Sequence, residues 1–273
     1  MTGTLCALAA IALWATLASL GVALAHVPPF LLTGLALLLG SVPSWPLVRR
    51  WRVPASTLLL GVYGLFGFHF LLFVALRNAP PLEANLVNYL WPLLIVVLAP
   101  LLLPDIRLRP VHVVAALAGF AGAALAIVGG RELVGGLSWG YLAAAGSAFV
   151  WASYSLLTQR VERFPTAAIG LFGLVSGLLA LACHALLEPA VALSLRDWLL
   201  IVVVGLGPLG AAFFFWDAAL KRSDPRRIGL LSYLTPLAST LLLAATSGRA
   251  LTWWTAAAAL LIAGAAVVGM RTR

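Results

Sequence analysis

Ten runs of predominantly apolar residues, each long enough to cross a bilayer as a helix, fill almost the whole chain. They lie near 2–24, 29–48, 55–76, 82–103, 110–129, 138–158, 166–187, 195–220, 226–246 and 251–270. A helix of about 20 residues covers the roughly 30 Å of hydrocarbon. Lipid offers backbone amides and carbonyls no partner, so each segment must satisfy its own hydrogen bonds. Strands of a membrane barrel would alternate polar and apolar residues over about ten positions, whereas these runs are longer and continuously apolar. The expectation is an all-α membrane protein with ten transmembrane helices. Composition agrees, because 63% hydrophobic residues, 9% charged residues and a mean hydropathy of +1.08 cannot make a water-facing surface.

The first run reads as a helix and not as a cleaved leader. Ala23-Leu24-Ala25 before His26 has the small residues of a cleavage site, but Met1-Thr2-Gly3-Thr4 carries no basic residue. The apolar run also exceeds the core of a signal peptide, about 7–15 residues. Basic residues fall in alternate connections. An N-terminus on the inner side places Arg49, Arg50, Arg52, Arg107, Arg109, Arg160, Arg163, Lys221, Arg222, Arg226, Arg227, Arg271 and Arg273 inside, and only Arg77, Arg131, Arg196 and Arg249 outside. That asymmetry is the positive-inside pattern, with both termini cytoplasmic. The net charge of +9 is then a topology signal. No nucleic-acid partner is expected, since the basic residues form short clusters at helix ends and no long basic stripe.

The segment 75–92, ALRNAPPLEANLVNYLWP, recurs without gaps at 219–236 as ALKRSDPRRIGLLSYLTP, an offset of 144 residues with seven of eighteen positions identical. Pro81/Pro225, Tyr89/Tyr233, Leu90/Leu234 and Pro92/Pro236 are among them. Earlier positions agree at an offset of 137, including Gly3/Gly140, Trp14/Trp151 and Pro28/Pro165, so a loop differs in length between the halves. Five helices per half reverse the second half relative to the first. The expected organisation is two inverted repeats, 1–133 and 134–273, joined through Gly129-Gly130 and Gly135-Gly136. Inverted repeats mark transporters whose site lies near the membrane midplane, where the repeats meet.

With ten helices, an inverted five-helix duplication, a Trp midway along the first helix of each half and a Tyr-Leu-x-Pro element in the fourth, the chain resembles the EamA-type branch of the drug/metabolite transporter superfamily. The resemblance covers essentially the whole length. Its aromatic-rich segments are similar to bacterial inner-membrane exporters of amino acids, especially aromatic ones. The resemblance implies outward movement of a small-molecule substrate across the inner membrane by alternating access.

Pro92 and Pro236 each delete a backbone donor inside a helix and release the carbonyls of Asn88 and Ser232. Such breaks fit helices that bend beside a wet cavity, although proline kinks are also common in ordinary membrane helices. Trp45, Trp51, Trp139, Trp198, Trp253 and Trp254 lie near helix ends, where indoles anchor at the interface. Trp14, Trp91 and Trp151 lie deep, and Trp216 stands closer to the inner end. A buried indole N–H wants an acceptor, which favours polar surroundings, with plain packing as the alternative. The candidate substrate-binding residues are Trp14, His69, Asn85, Tyr89, Trp91, Trp151, Tyr154 and Tyr233, with helix kinks at Pro92 and Pro236.

His69 is the one titratable candidate near the middle, either a neutral packed histidine or a proton relay. Asp217 is four residues before Lys221, so an i,i+4 ion pair explains it without transport chemistry. Glu83 suits the N-terminus of the fourth helix. Gly61, Gly64 and Gly67, and Gly173 with Gly177, suit close helix contacts. The first helix holds Trp14 and no carboxylate, so a central cavity without fixed charge suits a neutral or zwitterionic substrate whose ammonium rests on aromatic faces.

No His, Cys and carboxylate cluster has metal-ligand spacing, and no phosphate-binding loop of the Gly-x-x-x-x-Gly-Lys type occurs, so no cofactor or direct ATP coupling is expected. Cys6 and Cys183 fall at opposite ends, which argues against a disulfide. A membrane enzyme would need a nucleophile and base at one depth, and His69 is the single embedded base. The reading is therefore a transporter of small amphipathic metabolites. Exporters of other metabolites, a passive channel and a membrane enzyme are the alternatives. The sequence leaves the oligomeric state open, and a monomer is compatible with it.

Overall fold

The computed structural model describes residues 2–130, 132–133, 135–247 and 252–271. Arg131, Arg249 and Arg273, and the side chain of Arg271, lie outside the described residues. In chain order the helical stretches are α1 (Gly3–Ala23), α2 (Pro29–Arg50), α3 (Ala55–Asn78), α4 (Pro81–Leu102), α5 (Pro110–Val128), α6 (Gly140–Leu157), α7 (Thr166–Leu187), α8 (Leu195–Leu220), α9 (Pro225–Thr246) and α10 (Trp253–Arg271). All but α6 and α10 are long and apolar enough to cross a membrane. The helix α6 carries Ser147, Ser153 and Ser155, all buried inside the protein, so it need not be as apolar as a lipid-facing helix.

Local sequence sets the helix ends. Proline occupies the first turn of α2, α4, α5 and α9, where its missing N–H costs nothing. The Thr2 hydroxyl accepts from the Leu5 amide at the start of α1, and Ser194 with Asp197 forms a reciprocal cap on α8. Gly129 ends α5 with φ +54°, and Gly130, Gly135 and Gly136 also have positive φ, a region open to glycine.

Several helices are interrupted midway, and the interruptions have sequence causes. The fourth helix breaks at Tyr89–Leu90, just ahead of Pro92, and the ninth breaks at Tyr233, just ahead of Pro236. A wide π-turn replaces α-helix at Tyr63–Gly67 in α3 and at Gly207–Ala211 in α8. In α8 Pro208 contributes, having no amide to offer the carbonyl four residues back, whereas α3 makes the same turn without a proline. These two turns fall 144 residues apart, the offset of the sequence repeat.

Side-chain contacts define two ends of the bundle. At the end holding the N-terminus, Arg222 Nη1 reaches Cys6 Sγ at 3.7 Å, Lys221 reaches the Phe164 carbonyl and Arg226 the Arg107 carbonyl. At the far end Glu188 accepts from the amides of Phe30 and Leu31, at 3.1 and 3.2 Å, and from Arg77 Nη2 at 2.7 Å. Also there, His26 pairs with Asp197, and Glu83, in the first turn of α4, takes the Tyr141 hydroxyl and the Gly135 amide. Trp45, Trp139, Trp198 and Trp253 are 44–65% exposed, consistent with anchors near the helix ends. Gly61 and Gly64 of α3 admit the rings of Phe172 and Tyr154, while Gly173 and Gly177 of α7 face the backbone of α2 at Leu37 and Gly34. Cys6 and Cys183 are free.

Candidate functional site

Four indoles meet in the middle of the bundle. Trp14 (α1), Trp91 (α4), Trp151 (α6) and Trp216 (α8) approach one another in all six pairings, with ring centroids 5.2–6.5 Å apart. Most cross edge to face, the arrangement that aromatic quadrupoles favour. At roughly 0.5–1.5 kcal/mol per pair, the cluster is held by several kcal/mol beyond burial alone. Two indole N–H groups are satisfied across helices: Trp14 Nε1 donates to the Pro208 carbonyl at 3.0 Å and Trp216 Nε1 to Ser155 Oγ at 3.1 Å. The first of these uses a carbonyl of the π-turn, so the widened turn supplies the acceptor.

Above this aromatic floor lies a cavity of about 440 Å³. Its lining extends from Trp14, Trp91 and Trp151 toward the far end, reaching Gly21 of α1, Leu76 of α3 and Asn85 of α4. Phe68, Phe73 and Phe213 add aromatic surface, while Thr33, Asn85, Asn88, Thr235 and Ser239 add amides and hydroxyls. Among the described residues no Asp, Glu, Lys or Arg lines it. His69 is 8% exposed and stands on the wall; its Nδ1 lies 2.6 Å from the Leu65 carbonyl. A carbonyl only accepts, so Nδ1 carries the proton, and a neutral ring then keeps Nε2 as an acceptor. Phe213, 144 residues later, packs on His69 with centroids 6.2 Å apart.

Of the residues anticipated from sequence, Trp14, His69, Asn85, Tyr89, Trp91 and Trp151 come together on the cavity wall. Tyr154 and Tyr233 are not on it. Tyr154, 3% exposed, tilts against Trp151 and fills the space over Gly64. Tyr233 is fully buried against Gly119, beside Ala123 and Ile262. Pro92 and Pro236 stand just after the two helix breaks. Trp216, Phe213 and Asn88 carry more of the site than the sequence reading gave them. For Phe213 the signal was its repeat equivalence to His69. Asn88 accepts from Ser147 Oγ at 2.7 Å, which ties the break in α4 to α6.

Below the floor the end holding the N-terminus is closed. Asp217 Oδ2 accepts from Lys221 Nζ at 2.7 Å, the expected i,i+4 pair, and also from Thr166 Oγ1 at 2.6 Å. Lys221 Nζ further donates to the Phe164 carbonyl at 2.8 Å and lies 3.8 Å from the centre of the Phe164 ring. Burial pulls the Lys221 ammonium below its ordinary range, against the opposing pull of Asp217. An exposed helical pair is worth about 0.3–0.5 kcal/mol. The Asp217 side chain is only 2% exposed, so removing its partner strands a buried charge, a cost of about 3–5 kcal/mol. The contact therefore works as a closure between α8 and the connection before α7. Beside it, burial works to raise the Asp224 carboxyl, but hydrogen bonds from the Arg226 guanidinium and amide, with the charges of Arg226 and Arg227, outweigh it and hold Asp224 below the usual carboxylate range.

A bundle of membrane-length helices around a cavity sealed at one end has the architecture of a membrane transport protein. The EamA-like transporter family matches the chain over residues 1–128 and again over 138–270, and the chain belongs to this family. It is a transporter and not an enzyme. The chain is 44% identical over 265 residues to the aromatic amino acid exporter YddG of Ancylobacter novellus, covering 90% of this chain and 91% of that protein. It is 28% identical over 263 residues to YddG of Escherichia coli K12, covering 88% and 87%, and 28% identical over 254 residues to a probable amino-acid metabolite efflux pump of Salmonella typhimurium, covering 85% and 82%. One solved crystal structure, 43% identical, superposes with a TM-score of 0.91 over 97% of this chain and 94% of the other.

Proposed function

We propose that the chain exports amino acids, aromatic ones among them, across a bacterial inner membrane by alternating access. The observation that carries this reading is the cavity: about 440 Å³, aromatic-floored, edged with amides and hydroxyls and free of fixed charge among the described residues. That volume falls within the roughly 300–1,000 Å³ of small-molecule sites. An aromatic side chain gains edge-to-face contacts with the three indoles that line the cavity, Trp14, Trp91 and Trp151. The ammonium of a zwitterion rests on ring faces, and its carboxylate takes donors from Asn85, Asn88, Thr33 or Thr235. A divalent anion or a sugar phosphate finds no cation there. The names of the relatives point the same way.

In this reading all ten helices cross the membrane, the two five-helix repeats, 1–133 and 134–273, are inverted, and both termini are cytoplasmic. Support comes from the double family match, from π-turns and helix breaks recurring at the 144-residue offset, and from basic residues concentrated at the end of the bundle that holds the N-terminus. The cavity then faces outward while the Trp floor and the Asp217–Lys221–Thr166 closure seal the inner side. One sealed end favours alternating access over a channel.

Uptake into proteoliposomes tests the substrate class, with phenylalanine, tryptophan, leucine, organic cations, sugars, a divalent anion and a sugar nucleotide compared as competitors. Strong competition by aromatic amino acids, weakened in Trp14→Ala, Trp91→Ala and Trp151→Ala, is the expected outcome. Preference for a divalent anion or a sugar nucleotide refutes it.

A further inference from the structure

A second hollow, of about 590 Å³, lies toward the end holding the N-terminus, between the last turns of α2, the connection before α7, and α8. Transport as described above does not use it. Leu206, Phe214 and Phe215 of α8 form one wall and Leu47 of α2 another. Leu206 and Leu47 are 44% and 42% exposed, so the groove opens on the outer face of the bundle, toward lipid. Between Leu206 and Phe215 α8 would advance about 14 Å at 1.5 Å per residue, and the π-turn at Gly207–Ala211 shortens this somewhat. That is close to half the roughly 30 Å hydrocarbon core, the depth of one leaflet.

Arg50 also lines the groove, at the end of α2, and forms no ion pair among the described residues. Arg49 and Arg52 stand near it in sequence, and the connection leading to Pro165, another lining residue, carries Arg160 and Arg163 with one acid, Glu162, between them. The groove thus combines an apolar trough close to one leaflet deep with the Arg50 guanidinium at its interfacial end.

We propose that this groove binds one anionic phospholipid from the leaflet on the side of the N-terminus, with an acyl chain along Leu206–Phe215 and the headgroup phosphate on Arg50. Guanidinium matches phosphate with two parallel hydrogen bonds, and basic pockets between membrane helices select anionic headgroups. A zwitterionic lipid brings its own ammonium beside Arg50 and is disfavoured. A free phosphate leaves the apolar trough without a role. The site also touches the closure: Thr166 lines the groove, and its hydroxyl donates to Asp217 at 2.6 Å. A bound lipid therefore packs against the sealed end and favours the closed arrangement.

Titration of the detergent-solubilised full chain followed by native mass spectrometry tests this, using dioleoylphosphatidylglycerol, dioleoylphosphatidylcholine with the same tails, and glycerol phosphate without tails. One interfacial arginine predicts roughly five-fold tighter binding of the glycerol lipid than of the choline lipid. Arg50→Gln removes that preference, Arg107→Gln at the same end keeps it, and Leu206→Trp, which fills the trough, weakens both lipids. Equal affinity of the two lipids for the wild type, an undiminished preference in Arg50→Gln, unchanged binding in Leu206→Trp, or glycerol phosphate binding as tightly as the intact lipid overturns the proposal.

Discussion

The indole N–H of Trp14 in α1 donates to the backbone carbonyl of Pro208 in α8, 3.0 Å away and 194 residues along the chain. Pro208 lies in the π-turn of α8, and its carbonyl accepts the Trp14 indole across the two helices. It fixes the orientation of one floor indole against the opposite half of the molecule. Trp14→Phe keeps one ring at the floor and loses this bond, worth about 1 kcal/mol, together with the contacts of the second indole ring. Substrate affinity should fall roughly five-fold. Trp14→Ala should in addition lower stability by about 3–5 kcal/mol. Substrate titration and thermal unfolding on the same samples separate the two effects, and equal affinity for the Phe variant and wild type would show that the bond does not position the floor.

Loosening the closure around Asp217 should expose the sealed end. Cys6 is 2% exposed and lies against Arg222 at that end, so its thiol is a native reporter once Cys183 is replaced by Ser. Asp217→Ala strands Lys221 and frees Thr166, and maleimide labelling of Cys6 should rise about ten-fold, a shift of about 1.4 kcal/mol between closed and open forms. Labelling at the wild-type rate would mean that the indole floor alone seals the molecule.

His69 tests the coupling. Its imidazole is the one basic side chain on the cavity wall among the described residues, and the wall holds no carboxylate to exchange a proton with. Facilitated movement is therefore expected. Uptake by the wild type should respond to an imposed pH gradient no more than His69→Gln does, and Gln, which keeps an acceptor, should transport better than Ala. A gradient response present in the wild type and lost in both variants would identify His69 as a relay.

Asp224 gives a pH prediction with a definite sign. Its carboxyl is held below the usual carboxylate range in the folded protein, so the pairing with Arg226 stabilises the fold above about pH 4 and is lost as pH falls through the depressed value. Asp224→Asn keeps the cap on the Arg226 amide and removes the charge. The unfolding midpoint of the wild type should exceed that of the variant at pH 7, and the gap should close on acidification. A gap that is the same at pH 7 and pH 3 would exclude the ion pair as its source.

Six of the eight side chains chosen from sequence reach the cavity, and the two that miss show what a sequence of this kind hides. Tyr154 and Tyr233 sit at suitable depth but point into helix packing, toward Gly64 and Gly119. In a lipid-facing helix both faces are apolar, so there is no polar stripe to tell which side looks inward. Depth along a helix is legible from residue count; rotation about its axis is not. Trp216 shows the converse. Its position near one end of α8 gave no sign that it would meet three other indoles, because a helical side chain reaches back toward the N-terminal turns, here toward the middle of the bundle.

The residues alone determined that this chain is a bundle of membrane-length helices, since 63% hydrophobic composition in runs of about 20 leaves the backbone no other way to satisfy its hydrogen bonds in lipid. They also marked the breaks ahead of Pro92 and Pro236, where proline removes a donor, but not the π-turn at Tyr63–Gly67, which has no proline. Tertiary structure decided which faces meet: that Trp14, Trp91, Trp151 and Trp216 share one floor, that Thr166 completes the Asp217 pair, and that Arg50 caps an apolar groove. Those are contacts between distant segments, created by how the helices rotate and cross, and no local pattern of residues encodes them.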